Sequence, residues 1–431
     1  MPQSTESATH QVNVKANQPI PVDIAIVGGA MAGATLALGL LNAAKRFPRP
    51  IHIAVIEAQT VTNKHPGFDA RSIAIAHGSV ESLKTLGLWQ SLAHLGTPIS
   101  DIHISDRGHF GMTELNSQQF NVSAMGQVVE LERVGQVLFE QLQQASETDA
   151  AHTQAKLSLF CPAKLEQISA STEAQHLTLD TGERIDAKLV VAADGLNSKV
   201  RQAYDLPLAQ QHFAQQGIIA NIVTDKPHEH WAWERFTETG PLALLPMSDT
   251  QGQPRLSLVW ALDDEQAEQL QAAPKAEFLT RLQAAFGTRA GRFIDVGERH
   301  RYPLSLSYMQ RPIYHRSVFV GNAAQTLHPI AGQGFNLGLR DVVSLIDVIE
   351  QTMQTHGDKS DLGSVAVTHG YMNARQQDRT DTIRNIESLV RGFSNQHWPL
   401  VAGRNIGLRL LSWFPMFKHP VAAKAMGWRA K

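Results

Sequence analysis

VDIAIVGGAMAGATLALGLLNAAKR, Val22 to Arg46, opens as an apolar run, turns through two glycines and continues rich in alanine and leucine. The run to Val27 reads as a buried strand and the stretch after Gly29 as a helix. Gly28 and Gly33 stand where a dinucleotide-binding turn carries its outer glycines, the first for the tight turn and the last for close helix–strand packing. The middle position is Ala30 in place of the usual glycine, with Gly29 beside it giving local slack. IHIAVIEAQ then reads as a second strand ending at Glu57, 24 residues beyond Gly33. An acid at that place suits a ribose diol, and the helix start suits a pyrophosphate. This unit alone does not choose between NAD and FAD.

Two distant stretches bear on that choice. In ERIDAKLVVAADGLNSKVRQ, a strand ends at Asp194 and Gly195, so a carboxylate sits beside a permissive turn, although an Asx turn before a helix cap reads equally well. In SVFVGNAAQTLHPIAGQGFNLGLRD, a strand precedes Gly321 and Asn322. His328 and Pro329 then form a bend, and Gly332, Gln333 and Gly334 bring bare backbone toward a bound group before a helix carrying Asn336. Backbone N–H dipoles at a helix start stabilise negative charge, which a reduced flavin carries on its pyrimidine edge. His328 reads as a bend former or as a proton-transfer group.

The rest of the composition narrows the class. A chain of 431 residues exceeds one ordinary core, so two or three domains are expected. A net charge of -2 gives no reason to expect a nucleic-acid partner. The single Cys161 excludes an internal disulfide, fits a reducing compartment and leaves no thiolate cluster for a metal site. No apolar run is long enough to span a bilayer, and the polar start lacks the apolar core of a secretory signal. From Ser388 to Lys431 there are no acids but seven bases, with Trp398, Trp413 and Trp428 among them. That mixture suits an anionic membrane surface or, equally, a helical packing arm with a basic face.

Taken together, GGAMAGA (28–34), HPGFDARSIAI (65–75), VVAADGLNSKVR (190–201) and GNAAQTLHPIAGQGFNLGLRD (321–341) resemble the aromatic-ring flavin monooxygenases of the para-hydroxybenzoate hydroxylase type. VVELERVGQVLFEQL (128–142) and WERFTETGPLALLPM (233–247) narrow the resemblance to the ubiquinone-biosynthesis hydroxylases. Many relatives carry Gly-Asp-Ala where this chain has Gly321-Asn322-Ala323. The resemblance implies FAD contacts from Gly28, Gly29, Ala30, Gly33, Glu57, Arg71, Asp194, Gly195 and Asn322. It places Pro329, Gly332, Gln333, Gly334 and Asn336 around the isoalloxazine, with Gln127 approaching from the opposite side. No metal is implied and no catalytic side chain is singled out.

The fold so implied is α/β. A Rossmann-like FAD-binding domain (22–95, 128–205 and 300–388) is interrupted by a mostly antiparallel substrate sheet (96–127 and 206–299), with a helical segment at 389–431. The activity implied is hydroxylation of 2-polyprenyl-6-methoxyphenol para to its hydroxyl through a flavin C4a-hydroperoxide, with oxygen as co-substrate and NAD(P)H as transient donor. Hydroxylation at another ring position, a non-oxygenating isoprenoid reductase and a flavin-containing structural subunit are the competing readings. An octaprenyl-type substrate lives in lipid. The expected setting is therefore cytoplasmic and peripheral on the inner membrane face, with other ubiquinone-biosynthesis proteins as partners.

Overall fold

The structure, a computed structural model, describes residues 18–60, 71–148, 154–327 and 333–393, together with 405, 407, 418, 419, 422, 423, 426 and 427. Strand β1 (Ile20–Val27), helix α1 (Met31–Ala44) and strand β2 (Ile51–Ile56) form the opening unit, with the two strands parallel. β1 also pairs in parallel with Arg184–Ala192, which pairs in parallel with Ser317–Phe319. The three glycine- and acid-bearing turns of the sequence thus leave neighbouring strands of one sheet at the same end. β1 is covered on both sides, as strands of a parallel sheet are. Ile24 and Ile26 face a core shared with α1, while Ala25 and Val27 face a second core on the opposite side.

A second sheet, of nine strands among the described residues, is mostly antiparallel. Its helix-side face packs Leu242, Leu244, Leu256, Leu258 and Trp260 against Phe278, Leu282 and Phe286. The last three lie on the helix Lys275–Phe286. The Rossmann-like layer and the antiparallel layer are both present, and most of the segment expected to be helical, 389–431, lies outside the described residues.

The layers divide differently at two places from the expected boundaries. His300–Tyr308 pairs with Ala209–Thr224, and Gln325–Thr326 pairs with His300–Tyr308, so both strands belong to the nine-stranded sheet. The chain re-enters the cofactor layer after Tyr308, not at 300. The alternating burial of RYPLSLSY, with Leu304 and Leu306 inside, is that of a half-exposed antiparallel strand. Conversely, Thr97–Ile99 pairs with Gly126–Glu130, which also pairs with β3 (Ser72–Ala76), in a separate three-stranded sheet. Two long helices complete the cofactor layer, Gln333–His356 and Val365–Phe393.

Candidate active site

Between the two large sheets lies a cavity of about 2470 Å³. Its floor begins at the glycine turn. Gly28 has φ +99°, and a Cβ there would stand 2.6 Å from the Ala193 carbonyl oxygen, so only glycine fits. A Cβ at Gly33 would meet the Gly28 carbonyl oxygen at 1.8 Å, which is how closely α1 sits on the turn. Ala30 lies at the N-cap with φ −73°, a conformation any residue adopts, so its methyl group strains nothing. It offers no side-chain cap, and the first turn of α1 carries no acid. Both features leave the helix start suited to an anionic ligand.

Glu57, buried at the end of β2, accepts the Gly29 N–H at 2.6 Å and the Gln59 N–H at 2.9 Å while lining the cavity. Its carboxylate therefore ties the glycine turn to the second strand. Asp194 also lines the cavity. One of its oxygens accepts the Lys199 N–H at 2.6 Å, and the other, Oδ1, is buried without a partner. Burial pushes this carboxyl up from its ordinary range, against hydrogen bonds from Ser198 and the Lys199 and Val200 amides. An orphaned acceptor is costly unless a ligand donor meets it. The residues present fit a dinucleotide with a polyol arm: a cradle that a Cβ would fill, an uncapped helix start and an acceptor awaiting a hydroxyl.

The turn at Gly321 is held from below. Asp341, fully buried on the helix Gln333–His356, accepts from the Gly321 N–H at 3.1 Å and from Gln325 Nε2 at 2.5 Å. Arg375, equally buried on Val365–Phe393, donates to Asp341 at 2.8 Å and also to Asp378. Burial alone would raise Asp378, and the Arg375 and Arg340 charges reverse this and hold it below its usual range. Arg379 donates to Gln325 Oε1 at 2.8 Å and to the Met309 carbonyl at 3.0 Å. Arg201 donates to the Ala323 carbonyl at 3.1 Å, joining the Asp194 motif to the Asn322 motif. None of Asp341, Arg375 and Arg379 stood out in the sequence as a site residue. The acid and its partners are separated along the chain and carry no local spacing signal.

Of the other predicted positions, Arg71, Gly195, Asn322, Gly334 and Asn336 line the cavity. Asn322 is exposed to it and not buried. Arg71 lies over the Tyr302 ring, 5.2 Å from its centroid. Asn336 is buried. It accepts from the Ala76 N–H and donates to the Ala74 carbonyl, both at 2.9 Å, so it clamps β3 to the helix at the cavity wall. Gly29 and Gly33 stand behind the lining, and the Gln333 side chain lies outside what the structure describes. Gln127 is placed away from the cavity: its side chain lies beside Gly96, where a Cβ would meet Gln127 Oε1 at 2.8 Å. Alternation along Gly126–Glu130 turns it to the opposite face of that small sheet. Pro329, Gly332 and His328 lie outside the described residues, as do the three C-terminal tryptophans.

The substrate-side wall is apolar, with Ile219, Ala243, Leu245 and Val259 from the nine-stranded sheet. The described residues beyond 393 close one side. Gly407, Lys418, His419, Ala423 and Gly427 line the cavity, while Ala422 and Met426 are buried in a core with Ile99 and Met125. Among the described residues no three His, Cys, Asp or Glu side chains gather as a metal site.

Residues 21–366 match the FAD binding domain family. The chain is 31% identical over 427 residues to ubiquinone hydroxylase UbiL of Rhodospirillum rubrum, covering 98% of this chain and 92% of that one. It is 31% identical over 412 residues to 3-demethoxyubiquinol 3-hydroxylase of Escherichia coli, covering 94% and 99%. The crystal structure of p-nitrophenol 4-monooxygenase PnpA from Pseudomonas putida DLL-E4 shares the fold, with a TM-score of 0.73 at 14% identity over 96% of this chain and 100% of that chain. The fold and the site therefore define an FAD-dependent monooxygenase. Within that class, the chain belongs to the family of FAD-dependent hydroxylases of ubiquinone biosynthesis.

Proposed function

We propose that this enzyme hydroxylates a 2-polyprenyl-6-methoxyphenol para to its hydroxyl, taking electrons from NAD(P)H. The observation that carries this reading is the cavity itself. Its 2470 Å³ exceeds the roughly 300–1,000 Å³ of common small-ligand sites. The cofactor cradle occupies one wall, and apolar strand residues make the other.

The Gly28 turn, Glu57, Asp194, Arg71 and the Asn322 turn would hold FAD, which when bound would supply the oxygen chemistry of the hydroxylation. The chain's own residues do the rest. The Gly28 and Gly321 turns fix the cofactor wall, Asp341 and Arg375 hold the second of these rigid, and Ala243, Leu245, Val259 and Ile219 exclude water from the ring. The decisive experiment supplies purified holoenzyme with NAD(P)H, labelled oxygen and a defined prenylated methoxyphenol, and reads the product by mass and NMR. Label on the carbon para to the hydroxyl is the expected result. Label at another ring carbon moves the assignment to a different step of the same pathway, and an unlabelled product removes hydroxylation.

The site of action belongs to the same proposal: a cytoplasmic enzyme docked on the inner membrane face, alongside other enzymes of the pathway. No helix among the described residues is long and apolar enough to cross a membrane. The bases and tryptophans beyond Ser388 support surface docking. Since described residues of this segment also close the cavity, truncation is a poor test. Reversing the charges of Lys424, Arg429 and Lys431 should abolish flotation with anionic liposomes while FAD stays bound, and unchanged flotation would remove the docking proposal.

A further inference from the structure

The hairpin of strands Asp101–Asp106 and Met112–Asn116 forms one edge of the nine-stranded sheet. Ile102, Ile104, Thr113 and Leu115 line the cavity, so the residues between them turn to the opposite face. On that face the register sets Trp233, His103 and Glu114 in one row and Arg235, Ser105 and Met112 in the next. Arg289, just beyond the helix Lys275–Phe286, brings its guanidinium to 4.0 Å from the Glu114 carboxylate. The hairpin turn adds Arg107, whose backbone N–H donates to the Phe236 carbonyl at 2.8 Å, next to Arg235 in the chain.

Packing does not account for these cations. Arg235 Nε is buried without a partner among the described residues. Burial pushes the Arg235 guanidinium down from its ordinary range, and the Arg107 and Arg289 charges push the same way, against Asp106. Asp106 alternates onto the other face and accepts from Asn405 Nδ2 at 2.8 Å. Glu114 is shared between Arg289 and His103, the latter at 3.1 Å. Three arginines thus gather around less negative charge than they carry, and a bound phosphate would relieve them. At the hairpin turn Phe110 is 60% exposed, the one exposed phenylalanine among the described residues. A phosphate ion or nucleotide gives no reason to hold that ring in water, whereas an anionic lipid surface takes up both the ring and the cations.

Resting on the docked-enzyme reading above, we infer that this hairpin is the membrane-contact surface. Arg107, Arg235 and Arg289 hold the phosphate groups of anionic phospholipids, and Phe110 enters the interface. Asn405 and Lys418, both from the basic segment beyond Ser388, grip the same hairpin, at the Gly111 N–H (2.7 Å) and the Glu114 carbonyl (3.0 Å). The two basic surfaces therefore meet. Strands that face lipid on one side carry the substrate wall on the other, which sets the cavity beside the bilayer that holds its substrate.

The test uses full-length, FAD-loaded enzyme and vesicles of phosphatidylcholine with or without phosphatidylglycerol. Wild-type enzyme should float with the anionic vesicles and not with the neutral ones. Arg107→Gln and Arg289→Gln should each weaken flotation about fivefold, with FAD content and hydroxylation of a short-chain, water-soluble phenol unchanged. Arg235→Met keeps the apolar stem of the side chain, so flotation should weaken likewise while the thermal midpoint stays level or rises. Phe110→Trp should gain fluorescence, above the wild-type tryptophan background, that brominated phosphatidylglycerol quenches. Undiminished flotation in the arginine variants, or added Phe110→Trp emission that the brominated lipid leaves unquenched, overturns this surface while docking through Lys424, Arg429 and Lys431 stands. Variants that float normally but raise the KM for NADPH would assign the arginines to a nucleotide phosphate instead and overturn it too. Wild-type enzyme that floats with neither vesicle removes the docking reading, and this surface with it.

Discussion

Asp194 shows most directly how the fold is arranged for a ligand. Its Oδ1 is buried and unpartnered, and burial raises its pKa above the ordinary carboxylate range. A raised folded pKa means that, between the ordinary value and the raised one, the folded state holds more protons than the unfolded. Stability of the FAD-free protein therefore falls as pH climbs through that window and is greatest below it. Asp194→Asn keeps an acceptor for the Lys199 N–H but removes the charge. It should raise the FAD-free thermal midpoint at neutral pH, flatten the dependence across the window and weaken FAD binding about ten- to a hundredfold, the worth of one charge-assisted hydrogen bond. Scanning calorimetry against pH, with flavin retention by absorbance, checks both parts. Gly33→Ala should act in the opposite sense on stability. Its methyl group would stand where the Gly28 carbonyl lies, so α1 must shift, at a cost of about 1–3 kcal/mol or more by denaturant titration, and with loss of bound flavin.

At the scale of elements, the turn Gly321–Ala324 is legible in sequence as a turn, while its support is not. GNAAQT announces itself through its glycine, its small residues and the strand before it, all local features. The groups that hold it are Asp341 at one end of the motif, Arg375 and Arg379 a helix away, and Arg201 from another motif. Only the packing of Val365–Phe393 against Gln333–His356 brings them together, and no periodicity of either helix marks which arginine turns inward. The same limit explains Gln127: the apolar residues after it are legible, but the face it presents depends on which neighbours its strand pairs with in the small sheet. The buried ion pair carries a clear expectation. Arg375→Leu leaves Asp341 buried with its charge uncompensated, a loss of about 3–5 kcal/mol in urea unfolding. It should also loosen the Gly321 turn, so FAD content should fall at temperatures where the apoprotein remains folded. Arg375→Leu protein with full stability and full flavin would show the pair to be dispensable.

For the molecule as a whole, two sheets share one cavity, and the strand Pro241–Thr250 belongs to both sides of the problem. PLALLPM reads in sequence as an apolar strand, which leaves undecided whether its residues are core or binding wall. The structure divides them by alternation: Leu242 and Leu244 are fully buried against the helix side, and Ala243 and Leu245 line the cavity. Adjacent residues should then fail in opposite ways. Leu244→Ala removes side-chain volume from a closed core and should cost about 2–5 kcal/mol of stability, with the Kd for a prenylated phenol nearly unchanged in the protein that remains folded. Ala243→Phe adds a ring to open space, so the thermal midpoint and FAD content should hold while affinity for the prenylated phenol drops about tenfold or more. Measuring both variants by calorimetric unfolding and ligand titration makes the comparison internal to one strand. If Ala243→Phe instead unfolds the protein and Leu244→Ala weakens the phenol, the wall facing the cofactor has been assigned to the wrong side of the sheet.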